Sequence, residues 1–220
     1  MTEQDAQRCK GRFTMPGNWP GLQGVKTTTM RTIKLQMQIS LDGYVCGPNG
    51  EMDWMSWDWG DDIKRYVQEL TAPADTILLG RKLAEGFIPH WKAHVDNPAT
   101  ADDFGRKMTE TPKIVFSRSL PASPWDNVTM AGEDLPGTIA RLKQLPGGDI
   151  LVYGGASLAA ALIGEGLIDE YHLFVNPTAI GQGKSIFGQL KGNRKLSLAG
   201  SQSFANGITV LSYLSKPENK

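Results

Sequence analysis

Residues 149–169, DILVYGGASLAAALIGEGLID, constrain the fold more than any other stretch of the chain. The apolar run Ile150-Leu151-Val152 stops at Gly154-Gly155. Small residues follow at once over 157–163, and Gly164 and Gly166 close them off. The pattern is a buried strand that delivers the chain through a glycine pair onto a helix N-terminus. Without Cβ atoms another group can approach the backbone, and first-turn N–H groups lack intrahelical partners, so such an end attracts anions. Gly154, Gly155, Ala156 and Ser157 are therefore candidates for a pyrophosphate cradle. A tight strand-to-helix turn without a ligand is the other reading open here. Ala156 and Ser157 break the G-x-G spacing of the six-residue dinucleotide motif.

The surrounding pattern repeats this alternation. Ile33, Leu35, Met37, Ile39 and Leu41 alternate with Lys34, Gln36, Gln38 and Ser40, a first strand with one apolar face. After a Gly/Pro/Asn turn comes a tryptophan-dense segment with Trp54, Trp57 and Trp59, which can wall a pocket for a flat ring or plug a loop or dimer contact. Ile63, Tyr66, Val67 and Leu70 form one helical stripe that Asp61 or Asp62 can cap and Pro73 ends. Residues 76–79 read as a buried strand. Gly80-Arg81-Lys82 then opens a helix, a second candidate phosphate contact or a solvated helix start. Residues 88–111 read as a polar loop with one helical turn at 101–108. Strands follow at 113–116, which ends in Ser117-Arg118-Ser119, and at 128–130. Asp134 caps a helix through Leu135, Ile139, Leu142 and Leu145. After the opening stretch, 168–175 is a strand stopped by Pro177, and Gly181-Gln182-Gly183-Lys184 makes a mobile loop. Residues 195–204 and 208–214 form a last hairpin across Ala205-Asn206-Gly207, where Asn-Gly is expected to supply positive φ. The order implies one α/β domain over 30–216, with a mostly parallel sheet, helices on both faces and an antiparallel hairpin at one edge.

Composition bounds the function. With 23 basic and 23 acidic residues among 220, and no basic block, nothing points to nucleic acid. No apolar run approaches a membrane span. Two cysteines, Cys9 and Cys46, show no metal-ligand spacing and suit a reducing, cytoplasmic setting. His90 and His94 are four apart, but no glutamate of the metalloprotease type lies between them and Pro89 disturbs a helix there, so no metal site is expected. Residues 1–29 lack periodicity and any secretory pattern. They are expected to be a disordered extension or a product of start-site choice, with Met30 a natural first residue.

The succession Ser40-Leu41-Asp42-Gly43-Tyr44, Leu79-Gly80-Arg81, Val115-Phe116-Ser117-Arg118, Gly154-Gly155-Ala156, Leu167-Ile168-Asp169-Glu170-Tyr171, and Pro177 with Gly181-x-Gly183 before Phe187 resembles the dihydrofolate reductase-like family. It is closest to the branch homologous to the C-terminal reductase domain of bacterial riboflavin biosynthesis proteins. The resemblance spans residues 30–214. It implies that family's three-layer fold, NADPH as cofactor and a homodimer. It also implies that Gly154, Gly155 and Ala156 meet the pyrophosphate, that Gly80, Arg81 and Lys82 supply a second phosphate contact, and that Ser117 and Arg118 read the adenosine 2′-phosphate. A guanidinium beside a hydroxyl suits a dianionic phosphate, whereas an NAD site places a carboxylate near the ribose hydroxyls. Two departures stand out. Leu83 replaces a threonine common in the family, and the deaminase half of the riboflavin proteins is missing, with no H-x-E and P-C-x-x-C pair.

The resemblance implies hydride transfer to a small planar heterocycle or imine, of the kind reduced by dihydrofolate reductase or by 5-amino-6-(5-phosphoribosylamino)uracil reductase. In folate reductases a carboxylate at the start of the first helix holds the substrate ring. Asp62 stands in similar register, with Asp58 and Asp61 as competitors and Asp42 as a further candidate at a strand end, although each of these can equally serve as a cap or turn residue. Trp54, Trp57, Tyr66, Gly181 and Gly183 are the candidate substrate contacts. A nucleotide- or small-molecule-binding module that has lost catalysis is the alternative.

Overall fold

β1 (Ile33–Ile39) lies in the interior of an eight-stranded sheet, and that position decides what the two faces of the molecule hold. The computed structural model describes residues 30–216. The expected extension over 1–29 and tail residues 217–220 lie outside them. Along the chain, β1 is followed by α1 (Asp61–Thr71), β2 (Ala74–Gly80), α2 (Arg81–Asp96), α3 (Asp103–Glu110), β3 (Lys113–Phe116) and β4 (Val128–Ala131). Then come α4 (Leu135–Gln144), β5 (Asp149–Gly154), α5 (Ala156–Gly164), β6 (Glu170–Val175), β7 (Leu196–Ser203) and β8 (Thr209–Ser215). The spatial order is β4-β3-β2-β5-β1-β6-β8-β7. β4 through β6 run parallel, and β8 and β7 add the antiparallel hairpin.

Successive residues of each strand point to opposite faces. Leu78, Ile150, Val152, Leu35 and Leu173 pack with Ile139 of α4 and Leu158, Leu162 and Ile163 of α5. Ile77, Leu79, Leu151 and Val115 pack with Ala84 of α2 and Met108 of α3. Phe174 and Val210 meet Ile63, Val67 and Leu70 of α1 on that same side. The result is three layers, with the parallel strands covered on both faces, which is why β2 and β5 read as continuous apolar runs. Burying each Leu or Ile contributes about 1.5–3 kcal/mol.

Four sequence expectations need correction. The stretch 88–111 is mostly helical: α2 continues through Pro89 to Asp96, and α3 follows. Ala84, Phe87, Ile88 and Trp91 form an i, i+3, i+4, i+7 stripe against the core, and Pro89 falls on the exposed side. The N-cap of α1 is Gly60, so Asp61 and Asp62 occupy its first turn instead of capping it. In the last hairpin only Gly207 takes positive φ (+86°); Asn206 does not, and its side chain accepts from Ile208 N at 3.2 Å. The polar side of β1 is not a solvent face, because Gln36 is only 6% exposed beneath the helices.

Candidate active site

Parallel strands gather their C-terminal ends on one edge, and helices begin there. β3, β2 and β5 are neighbours, with Gly80 paired to Phe116 and Leu79 to Gly154. Three sequence features therefore stand side by side: Ser117-Arg118 after β3, Gly80-Arg81 after β2, and Gly154-Gly155 after β5. Gly80 is the N-cap of α2 and Gly155 the N-cap of α5. A Cβ on Gly80 would lie 3.3 Å from Gly155 N, and one on Gly154 (φ +103°) would lie 2.8 Å from Met37 Cε. The Gly154–Gly155 peptide is cis. Neither helix has a side-chain cap, and neither carries an acid in its first turn. Two helix N-termini thus present free N–H groups at one place, the arrangement that receives phosphate oxygens.

The cations around this cradle are arranged unequally. Arg81 turns along α2 to pair with Glu85, while Lys82 and Arg118 are exposed. Ser117 Oγ accepts from Leu120 N at 2.9 Å and Ser119 N at 3.2 Å, which shapes the turn that carries Arg118. Ala156 and Ser157 are the first residues of α5, and Ser157 is exposed.

Two of the candidate carboxylates, Asp42 and Asp62, are already engaged. Asp42 accepts from Ser40 Oγ at 2.6 Å, Gly181 N at 2.7 Å and Ile180 N at 3.2 Å. The Ser40 hydroxyl, followed by the Gly181 and Ile180 amides, holds its carboxyl below the usual range. Asp42 thereby clasps the 177–185 loop, which is also joined to Cys46 through Lys184, so the segment expected to be mobile is tied at two points. Gly181 supplies positive φ (+75°) beneath that clasp. A Cβ on Gly183 would lie 2.3 Å from Cys46 O, so only glycine fits there. Asp62 accepts from Ile63 N at 2.8 Å and from Ala205 N at 3.4 Å, which turns it toward the last hairpin. Asp58 meets the same hairpin through its backbone carbonyl, a partner of Asn206 Nδ2 at 3.1 Å.

The tryptophan segment lies over the ends of β1 and β6. Ser56 N donates to Asn176 Oδ1 at 2.9 Å, and Asn176 Nδ2 donates to Gln38 Oε1 at 2.7 Å. Trp59 stacks on Phe174 with centroids 6.2 Å apart, and Trp57, 65% exposed, stacks on Trp59 at 6.0 Å. Trp54 donates to Glu51 O at 3.3 Å. Tyr66 reaches down from α1, its hydroxyl 2.9 Å from His172 Nδ1 and 3.1 Å from Ser212 Oγ, and burial raises its pKa. His172 Nε2 stands 3.5 Å from Glu170 Oε2, and this imidazole, ahead of Lys34, holds the Glu170 carboxyl low. Gln36, beside His172 in the β1–β6 register, has a buried side-chain oxygen with no partner among the described residues.

Asn176, Gln36, Gln38 and His172 were not singled out from the sequence. The available signal was polar residues at alternate positions of two strands whose neighbours are apolar on both faces. Among the described residues no cluster of three or more potential metal ligands occurs. His94 pairs instead with Asp102, the N-cap of α3.

A mostly parallel sheet closed by an antiparallel hairpin, with helices on both faces, places the chain in the dihydrofolate reductase-like class of α/β folds. Within that class, the RibD C-terminal domain family matches residues 31–210, and the chain belongs to it. The uncharacterized protein YyaP of Bacillus subtilis is 31% identical over 187 residues, covering 83% of this chain and 94% of YyaP. The riboflavin biosynthesis protein RibD of Corynebacterium ammoniagenes is 26% identical over 164 residues, covering 70% of this chain and 45% of that protein. Among solved structures, the Thermotoga maritima diaminohydroxyphosphoribosylaminopyrimidine deaminase/5-amino-6-(5-phosphoribosylamino)uracil reductase has a TM-score of 0.62 at 16% identity. The match covers 85% of this chain and 57% of that one. Dihydrofolate reductase of Enterococcus faecalis, complexed with NADP(H), has a TM-score of 0.55 at 14% identity, covering 84% and 97%. At these identities the structural likeness is one of fold. Among the described residues no helix is long and apolar enough to cross a membrane.

Proposed function

We propose that the chain is an NADPH-dependent reductase of a small planar heterocycle or imine, acting through one domain over residues 30–216. The observation that carries this reading is the approach of Gly80 to Gly155, which sets the N-termini of α2 and α5 together at adjacent strand ends. The residues present fit the cofactor. Free amides of Gly155, Ala156 and Ser157, with those of Arg81 and Lys82, donate to the pyrophosphate, and no acid in either first turn repels it. Arg118, with Ser117 shaping its turn, is the group for the adenosine 2′-phosphate. When bound, reduced nicotinamide supplies the hydride. Trp57 and Trp59 offer flat surface for a ring, and the unpartnered Gln36 oxygen offers an acceptor for a ring N–H. The family resemblance supports a homodimer, which sedimentation equilibrium tests, and the two-cysteine composition supports a reducing, cytoplasmic setting.

A specific observation favours the second reading, a binding module without turnover: both Asp42 and Asp62 are held by backbone amides. Following NADPH absorbance with a panel of pterins and aminopyrimidines separates the two. The reductase reading expects oxidation of NADPH with at least one ring class. Tight NADPH binding without oxidation across the panel, and no effect of Asp62→Asn, supports the module.

A further inference from the structure

Three polar side chains, Lys34, Gln36 and Gln38, follow one another on one face of β1. Lys34 stands level with Leu151, which packs with the residues of α2 and α3. Gln38 stands level with Phe174, which packs with those of α1. β1 therefore lays a polar seam between two apolar clusters on that face of the sheet.

The outer members of the seam are satisfied. Lys34 Nζ pairs with Asp149 Oδ2 at 2.8 Å and with Glu170 Oε2 at 3.5 Å, and Gln38 Oε1 accepts from Asn176 Nδ2 at 2.7 Å. The middle member is not. Gln36 is 6% exposed, and its side-chain oxygen has no hydrogen-bond partner among the described residues. Its neighbour in register, His172, turns Nδ1 to the hydroxyls of Tyr66 and Ser212, at 2.9 and 3.2 Å. An unpaired oxygen at that depth works against folding, whereas an apolar residue of similar shape would not. A glutamine there calls for a duty beyond the fold.

Its position suggests the duty. Gln36 lies two residues, about 6.5 Å, inward from Gln38. Gln38 is half-buried and is tied through Asn176 to Ser56 of the tryptophan segment. The seam thus ends beneath the aromatic surface of Trp59 and Trp57, while Lys34 and its two acids stand at the opposite end.

We propose that Gln36 is a specificity-determining residue of the substrate groove, where its amide reads the inner edge of a neutral ring that presents an N–H donor beside an acceptor. The proposal rests on the reductase reading. A carboxamide offers an acceptor and a donor side by side, the complement of such an edge. A ring without that edge is rejected, because the buried amide is then left unpaired. The Gln36 oxygen is covered by its surroundings, so the ring edges in from the tryptophan end, past Gln38, and displaces the side chains that cover it.

Calorimetric titration of the full chain and of Gln36→Leu with 6-aminouracil and with pterin, each with and without saturating NADP⁺, tests this. At least one ring is expected to bind, and Gln36→Leu is expected to weaken it at least tenfold. The melting temperature of the variant is expected to hold or rise, and its NADP⁺ affinity to be unchanged. Binding of neither ring, binding that Gln36→Leu leaves unaltered, or a variant that melts below the wild-type chain overturns the proposal. Should a ring bind through Gln36 while NADP⁺ fails to bind, the reductase reading falls and the ring site remains.

Discussion

Gly80 and Gly155, the caps of α2 and α5, stand so close that a Cβ on the first would lie 3.3 Å from the backbone nitrogen of the second. The backbone of Gly80 is ordinary extended chain (φ −78°), so Gly80→Ala introduces no dihedral strain. The alanine gains about 0.4–1 kcal/mol through the unfolded state, which offsets much of the contact. Melting is expected to change little while NADP⁺ affinity drops about tenfold, or about 1.4 kcal/mol. Gly154→Ala behaves differently. At φ +103° and 2.8 Å from Met37 Cε, it is expected to cost about 1–3 kcal/mol of stability in urea unfolding.

Asn176 is fully buried and joins the tryptophan segment to the sheet. Asn176→Ala leaves Ser56 N and Gln38 Oε1 without these partners, an expected loss of about 1–3 kcal/mol in denaturant unfolding. Because Trp59 rests on Phe174 beside this contact, the folded variant is also expected to show red-shifted tryptophan emission. Unchanged emission would mean that the segment is held by stacking alone.

Asp42 is the pin of the 177–185 loop. Its folded-state pKa lies below the ordinary 3.8, through the Ser40 hydroxyl and the Gly181 and Ile180 amides. A depressed carboxylate pKa contributes stability that is complete above the unfolded value and is lost as pH falls through the folded one. Amide exchange at Gly181 should therefore stay protected from pH 7 down past the ordinary carboxylate range and open only below it. In Asp42→Ala the protection should be missing at every pH, with β1 and β6 amides unaffected.

Lys113 begins β3 with 3% exposure and donates to Thr111 O at 2.6 Å and Thr109 O at 2.8 Å, which closes the end of α3. Burial alone pushes its pKa down to about 8 from 10.5. Here the unfolded chain binds the extra proton between those values, so stability rises as pH climbs from about 8 toward 10.5. Against Lys113→Met, which cannot titrate, the wild-type chain is expected to gain on the order of 2 kcal/mol over that interval. Urea unfolding at pH 7.5 and 10 reads the difference.

Much of this fold is legible in the sequence where local chemistry and final environment agree. The glycine pair after Val152, the Ser-Arg after Phe116 and Gly80 before Arg81 mark strand ends by composition, and the structure sets those ends side by side. Pro89 masks the second half of α2, because a local breaker signal competes with the Ala84, Phe87, Ile88, Trp91 stripe, whose burial against the core keeps the helix going. Lys34, Gln36 and Gln38 alternate like a solvent face and are covered because β1 sits between β5 and β6, a matter of strand order that no local pattern encodes. Asp62 and Asp42 also have local partners in Ile63 and Ser40, but their bonds to Ala205 and Gly181, far along the chain, appear only in three dimensions.

Competing calorimetric titrations with NADP⁺ and NAD⁺ test the nucleotide cradle most directly. One NADP⁺ per chain, bound at least tenfold more tightly than NAD⁺, with that preference abolished in Arg118→Gln, is the expected result. Failure of both nucleotides to bind, or equal affinity for the two in the wild-type chain, would contradict it.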